Sequence, residues 1–333
     1  MSMQNSKLED LYSLSSKISC KEMWSKVKNY EAIAVSRDQE LIKYLDQYTQ
    51  RVKSNIAIIR DKCPLCDSKD FKFLFVKHGF DHMLCNNCDL IFTLQIIDEN
   101  KLKYMESGKE GDLYGDLKKD SILGDFDRKK FEIVFEELEK YSKIKNIFDF
   151  GSQLGSFLDW ASEKYSIVGH EYHASLGEIA QSKGHTVLSD NLATIKLDRE
   201  YDLITCWDYL DHVTNPKETI RNLSKYLKKG GLFFFAINNR DSLSGRVMHE
   251  DSPMFIGPHH TMHYGIKQLK LLMKDYEFLY SYSYVSELNW ISNWLNFKNP
   301  EFGDSPLLFE LLDPKKITQL GMGIKVNAGF RKI

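Results

Sequence analysis

The sequence predicts an α/β fold: an open, mostly parallel sheet flanked by helices, with a small cysteine-bearing ribbon ahead of it. Three observations carry this. Short apolar runs alternate with amphipathic stretches from Asp125 onward, the pattern of successive β–α units. One such unit, Asn146 to Trp160 (NIFDFGSQLGSFLDW), joins a buried strand to a helix through a turn with glycines at Gly151 and Gly155. Two Cys-x-x-Cys pairs, Cys63/Cys66 and Cys85/Cys88, stand well upstream of it.

Composition bounds the rest. The chain has 333 residues, 42% apolar and 28% charged, enough for one large or two modest domains with a real core. A net charge of −2 provides no global basic field to recruit nucleic acid or anionic lipid. The start, MSMQNSKLED, lacks the apolar core of a signal peptide, and the longest apolar run, Leu232 to Ile237, is too short to cross a bilayer. The expectation is a cytoplasmic protein with no membrane partner.

Residues 1–60 read as helical. Leu41, Leu45, Tyr48, Val52, Ile56 and Ile59 recur at steps of three and four. Such a narrow stripe packs either on its own protein or on a second copy, as a homodimer seam. Residues 61–97 read as a ribbon, with strands at Phe71 to Val76, around Met83 and at Leu90 to Leu94. Two Cys-x-x-Cys knuckles at the ends of hairpins present four thiolates, which suits a closed, structural zinc site. His78 and His82 lie between the knuckles and read as surface residues. Lys and Arg within the ribbon are few and balanced by acids, which argues against nucleic acid as its partner. Residues 98–125 are polar and glycine-rich, a linker with the makings of a lid. From 126 the α/β domain runs to 333, beginning with an amphipathic helix over Asp125 to Tyr141.

In the central unit the glycines let the backbone approach a ligand, and the N–H groups of the first helical turn face it. Ser166 to Glu171 reads as the next strand and ends in an acid twenty residues beyond Gly151, placed to accept hydrogen bonds from ribose hydroxyls. A dehydrogenase would carry GxGxxG; here the turn is Gly151-Ser-Gln-Leu-Gly155. The stretch resembles motif I of class I S-adenosylmethionine-dependent methyltransferases, whose fold is Rossmann-like. Gln153 stands where the commonest form of that motif has a third glycine, as in the G-S-N-D-G turn of sugar C-methyltransferases. The resemblance implies S-adenosylmethionine as cofactor, held by Asp149, Gly151, Gln153, Gly155, Glu171, Tyr172 and Trp207. An acid or amide after the third strand, Asp190-Asn191, either contacts adenine or forms an ordinary polar turn.

Tyr201 to Trp207 reads as the fourth strand, followed by Asp208-Tyr-Leu-Asp-His212-Val, which again resembles the family. Asn215-Pro216 starts a helix expected to end at Gly230-Gly231, before the strand LFFFAI. The long connection after that strand leads to Pro258-His-His-Thr-Met-His-Tyr264 and a helix from Ile266 to Tyr276. In sugar C-methyltransferases this place reads roughly His-Glu-His, two residues, Tyr; here His260 matches the second His, His259 replaces Glu and His263 replaces Tyr. Phe278 to Val285 and Met322 to Phe330 read as a closing antiparallel hairpin, with Trp290, Trp294 and Phe297 on an inserted helix. Methylation of a hydroxyl, or of a carbon beside a ketone, needs a base, and His residues titrate near working pH. The candidates are His260, His212, His259 and, behind them, His263. The expectation is a methyltransferase for a small molecule, a carbohydrate or nucleotide sugar, with O-methylation ahead of C-methylation. An RNA or protein methyltransferase using the ribbon as a clamp, and a binding module that keeps the fold without activity, remain as alternatives.

Overall fold

The computed structural model describes residues 41–97, 121–252, 254–257, 259–284, 291 and 313–333. The ribbon comprises β1 (Ala57–Ile59), β2 (Phe71–Lys77), β3 (Phe80–Cys85), β4 (Ile91–Thr93) and β5 (Gln95–Ile97). Each Cys-x-x-Cys is followed by an aspartate, Asp67 or Asp89, with φ near +60°, a region Asp tolerates better than most side chains. The amide of Asp67 donates to the Cys63 carbonyl and that of Asp89 to the Cys85 carbonyl. The two knuckles therefore share one geometry.

Next come α1 (Ser121–Leu138), β6 (Asn146–Phe150), α2 (Ser156–Ala161), β7 (Ser166–His170), α3 (Ala174–Ser182), β8 (Val187–Leu188), β9 (Tyr201–Trp207) and α4 (Pro216–Ser224). The remaining elements are β10 (Leu227–Asn238), α5 (Leu243–Met248), β11 (Met262–His263), α6 (Ile266–Leu272), β12 (Tyr276–Tyr284), α7 (Pro314–Gln319) and β13 (Lys325–Lys332). The central sheet has the order β12-β13-β10-β9-β6-β7-β8. The β10, β9, β6, β7 and β8 neighbours pair in parallel; β13 is antiparallel to both β10 and β12.

Strands covered on both faces read as continuous apolar runs. Along β10, Phe233 and Phe235 join the cluster with Tyr201, Ile204 and Phe330, while Leu232, Phe234 and Ala236 face Phe131, Val134, Phe135 and Leu138 of α1. The period of two thus sends alternate side chains into two cores. The ribbon is fused to this unit. Strand β11 pairs antiparallel with β4, so the ribbon sheet reads β11-β4-β3-β2. Cys63, Leu65, Leu90 and Phe92 share one apolar cluster with Phe148, Phe233, Met262 and Tyr264.

Several expectations are corrected. Residues 41–42 are helical, but residues 43–60 form turns, the isolated Leu45–Val52 bridge and β1 in place of the expected helix. The Asp46 carboxylate accepts from the amides of Tyr48 and Thr49 and holds a turn, and Leu45 packs directly against Gly79 of the ribbon hairpin. Part of the apolar stripe is thus used against the ribbon, where Val52 and Ile56 pack with Phe80 and Ile97, while Tyr48 and Ile59 are exposed. His82 is fully buried, stacked on Phe75, because the ribbon packs against residues near Phe255 and His263. Helix α4 stops at Ser224, and Gly230-Gly231 lies inside β10, where the register with β9 shifts. The closing pair β12 and β13 is as expected in direction, with β13 inserted beside β10. Residues 1–40 of the expected helical segment, 98–120 of the expected linker or lid over 98–125, and the helix carrying Trp290, Trp294 and Phe297 lie outside the described residues, and 121–125 of that linker belong to α1. No described helix is long and apolar enough to cross a membrane.

Gln268 ties α6 to the ribbon: its buried side chain donates to the Cys88 carbonyl at 2.8 Å and accepts from the Gly265 amide at 3.0 Å. Leaving those groups unpaired costs about 1–3 kcal/mol. Gln268→Ala is expected to lower stability by about 2 kcal/mol in urea denaturation and to speed hydrogen exchange at Asp89 and Leu90.

Candidate active site

The carboxyl ends of β6, β7 and β9 meet at one edge, where open α/β sheets bind ligands. Gly151 and Gly155 there have φ of +83° and +81°, and Gln153 has φ of +48°. The glycine that the related motif places at Gln153 would relieve a left-handed conformation that costs a side-chain-bearing residue about 1–2 kcal/mol. Two contacts hold the turn instead. The Gly151 and Ser152 amides both donate to the His170 carbonyl, at 2.8 and 2.9 Å. The Gln153 amide donates to Glu171 Oε2 at 2.8 Å, and the His173 amide donates to Glu171 Oε1 at 2.9 Å. Glu171 is fully buried, so it ties the end of β7 onto the glycine turn. The amides of Gly151, Ser152 and Gln153, which precede α2, are thus all engaged within the protein.

Two compartments lie along this edge. The larger, about 290 Å³, is lined by Phe150, His170, Tyr172, Asn191, Tyr209, His212 and His259, among others. The smaller, about 40 Å³, is lined by Asp149, Gly151, Ser152, Gln153, Trp207, Asp208 and Lys130. Between them Tyr209 lies so close over Gly151 that a Cβ there would come within 2.3 Å of its ring. In the smaller compartment Ser152 Oγ and Trp207 Nε1 are buried without a protein partner among the described residues. Lys130 Nζ sits 5.3 Å from the Trp207 ring and 2.8 Å from Asp127 Oδ1. Lys130 brings a cation to this space, which Asp127, Asp149 and Asp208 also line, while Ser152 Oγ lies against Gly169 of β7. Asp190 lends its carbonyl to His170 Nε2, and the Asn191 side chain accepts from the Ala193 amide, so the latter forms a turn and also lines the cavity.

The histidines divide. His212 and His259 line the larger compartment. His260 sits behind them; its Nδ1–H donates to the Met254 carbonyl at 2.6 Å, which leaves Nε2 facing Asp211. His263 is buried beside His82 and Phe255, away from the cavity. Asp211, which the sequence reading passed over, lies between the two imidazoles, with Oδ1 4.0 Å from His212 Nε2 and Oδ2 3.9 Å from His260 Nε2. Asn238 donates to its Oδ2 at 2.7 Å. Despite full burial its carboxyl is held below the usual carboxylate range, by His260, His212 and Lys325 together with that bond. The only hint in sequence was the acid standing directly before His212. Ser152, Lys130, His170 and Tyr209 were likewise missed, since only the fold brings them to this edge.

The four cysteine sulfurs converge: all lie within 4.8 Å of one another, with Cys63–Cys88 at 3.6 Å and Cys66–Cys85 at 3.5 Å. A tetrahedral zinc with Zn–S bonds of about 2.3 Å sets its sulfurs about 3.8 Å apart, so the donor set fits that ion.

Residues 126–280 match a family described as a methyltransferase domain. A 108-residue stretch is 29% identical to ubiquinone biosynthesis O-methyltransferase of Coxiella burnetii, covering 30% of this chain and 46% of that one. A 79-residue stretch is 35% identical to the mitochondrial ubiquinone biosynthesis O-methyltransferase of Dictyostelium discoideum, covering 22% and 25%. These matches span less than half the length of the curated relatives. The solved magnesium protoporphyrin IX methyltransferase of Synechocystis, with bound SAH, aligns over 71% of this chain and 100% of that one, at 11% identity and a TM-score of 0.48.

Asp149, the acid of the glycine motif, is buried and accepts from Thr205 Oγ1 at 2.7 Å. Burial, opposed by that bond and reinforced by Glu171, raises its pKa to about 7. A folded pKa above the unfolded value favours folding fully below about pH 3.8 and loses that contribution as pH rises through about 7. The expected result is a wild-type melting temperature that falls from pH 5.5 to pH 7.5 more steeply than that of Asp149→Asn, read by differential scanning fluorimetry. Parallel slopes would contradict the assignment.

Proposed function

We propose that the protein is an S-adenosylmethionine-dependent methyltransferase acting on a hydroxyl of a small molecule of the carbohydrate or nucleotide-sugar class, with a structural zinc in its ribbon. The observation that supports it best is the two-compartment crevice on the glycine turn, with Lys130 and the carboxylates of Asp149 and Asp208 at one end and imidazoles at the other. Bound S-adenosylmethionine supplies a methyl carbon on a positively charged sulfur. Lys130, with Asp149 and Asp208 beside it, meets the charged groups of its amino-acid end. Glu171 fixes the turn and accepts from the ribose, since a carboxylate offers about four acceptor sites. Tyr172, Asp190 and Asn191 flank the adenine. His212 and His259 line the space left for the acceptor, with Asp211 and His260 behind. Holding an acceptor in line with the methyl carbon contributes about 7–11 kcal/mol in such reactions.

O-methylation is favoured by the incomplete His-Glu-His-Tyr set and by the names of the matched relatives, both ubiquinone-pathway O-methyltransferases. The carbohydrate class rests on the ribbon standing ahead of the methyltransferase domain, as in sugar-modifying relatives of the resemblance. The groove between ribbon and α4 does not favour a nucleic-acid clamp. Its five cations, Lys217, Arg221, Lys225, Lys274 and Lys332, stand against three acids, Asp67, Glu218 and Asp275; Lys217 is paired with Asp67 and Lys332 is turned onto the Ser224 and Leu227 carbonyls, which leaves the surface only weakly basic.

Calorimetric titration of S-adenosylmethionine into the zinc-loaded protein is expected to show one site, weakened about tenfold in Glu171→Gln, or about 1.4 kcal/mol. Absence of binding by the wild type would leave a fold without the activity. A screen of nucleotide sugars for S-adenosylhomocysteine release then identifies the acceptor; turnover confined to quinols would replace the carbohydrate class.

Elemental analysis is expected to find one zinc per chain in the four-cysteine site, absent from a Cys63→Ser/Cys88→Ser variant. Chelation should lower the melting temperature, because so small a ribbon depends on its ion. Unchanged melting after metal removal would rule out a structural role.

A further inference from the structure

We propose that Asp211, His212 and His260 form a second metal centre, a site for a divalent transition cation at the acceptor end of the crevice. Their ligand atoms all lie within 4.8 Å of one another. Two imidazoles and one carboxylate form a donor set suited to iron, zinc, cobalt or nickel in the divalent state. An ion bonded at about 2.1 Å to each would set neighbouring donors about 3.0–3.4 Å apart, so the side chains close by about half to one ångström.

Three further features point the same way. Asp211 Oδ1 is buried and has no hydrogen-bond partner among the described residues, while Asn238 fixes the other oxygen. That unpaired oxygen lies 4.0 Å from His212 Nε2, and a buried carboxylate oxygen without a partner is costly unless a cation or proton occupies the space. His260 donates its Nδ1–H to the Met254 carbonyl, the outer hydrogen bond that orients most metal-binding imidazoles and leaves Nε2 to the ion. The nearby Lys325 charge is already matched: its Nζ is held by Asp208 Oδ1 at 2.7 Å and by Asn238 Oδ1 at 2.8 Å.

Three protein ligands leave coordination positions open, as in catalytic rather than structural sites. Because His212 also lines the larger compartment, those positions adjoin the space assigned to the acceptor. Resting on the proposed methyltransferase reading, this narrows the acceptor to molecules with two adjacent oxygens, a vicinal diol or a hydroxyl beside a carbonyl. Such a pair chelates a divalent ion, whose charge lowers the pKa of the hydroxyl it holds.

The test uses the full chain with zinc already in the four thiolates, titrated with Co(II) and followed by visible absorption. The expected result is saturable uptake of one Co(II) per chain, with ligand-field bands but no thiolate-to-cobalt charge-transfer band. Asp211→Asn and His212→Gln should each weaken that uptake at least tenfold while keeping the wild-type melting temperature and S-adenosylmethionine affinity. His212→Gln, on the cavity wall, serves if the buried variant does not fold. No saturable uptake by the wild type, or equal uptake by a folded variant, overturns the proposal. Cofactor affinity in the same samples separates the two readings: a protein that binds S-adenosylmethionine but no second cation loses only this one.

Discussion

One buried carboxylate sets the geometry on which the crevice depends. Glu171 accepts from the amides of Gln153 and His173, and in doing so closes the end of β7 onto the turn between β6 and α2. Hydrogen bonds to an ionised oxygen are the stronger kind, roughly twice a neutral pair. That strength matters here because Gln153 occupies a left-handed conformation without glycine's freedom. The carboxylate offsets the strain, and the turn stays where the Gly151 face can receive Tyr209. Asp149 sits directly beneath on β6, bonded to Thr205 across the β6–β9 pair, so the acidic residues of the motif brace the backbone from within.

The ribbon takes part in the same construction. Strand β11 is the segment between the cavity histidines and α6, and it is held by β4 of the ribbon. A short chain of bonds runs from there to the site: the Thr93 amide donates to the Thr261 carbonyl at 3.0 Å, and the Thr261 amide donates to the Asp211 carbonyl at 2.9 Å. Thr261 Oγ1 adds a bond to the Val213 carbonyl. The cysteine knuckles therefore stabilise more than themselves. They fix the sheet edge that sets His259 and His260 against Asp211 and His212. This gives a physical reason for a small thiolate ribbon ahead of the α/β domain.

Local pattern determined a good deal. The apolar run at Ile147 to Phe150, the glycines at Gly151 and Gly155, and the acid at Glu171 define strand, turn and strand end, because each depends on residues adjacent in the chain. The four cysteines converge as their spacing implies, for the same reason: a knuckle is closed by its own backbone. The start of α4 at Asn215-Pro216 is likewise a matter of one cap and one ring. What failed was also local in form. The stripe from Leu41 to Ile59 has helical spacing, yet a turn at Asp46 interrupts it, and Leu45, Val52 and Ile56 pack against the ribbon hairpin while Tyr48 and Ile59 stay exposed.

Tertiary structure alone decided which polar groups meet. Lys130 comes from α1, Ser152 from the glycine turn and Trp207 from β9, and only the packing of α1 on the sheet brings them to one small compartment. Asp211 and His260 are far apart in sequence; the β4–β11 pairing makes them neighbours. The same pairing buried His82 and His263, which the chain by itself left looking like surface or catalytic residues. Periodicity and turn chemistry are written in neighbouring residues, so the sequence by itself determined the α/β order, the glycine motif and the cysteine knuckles. Burial, and the identity of a partner across a sheet edge, depend on surfaces that exist only once the chain has folded.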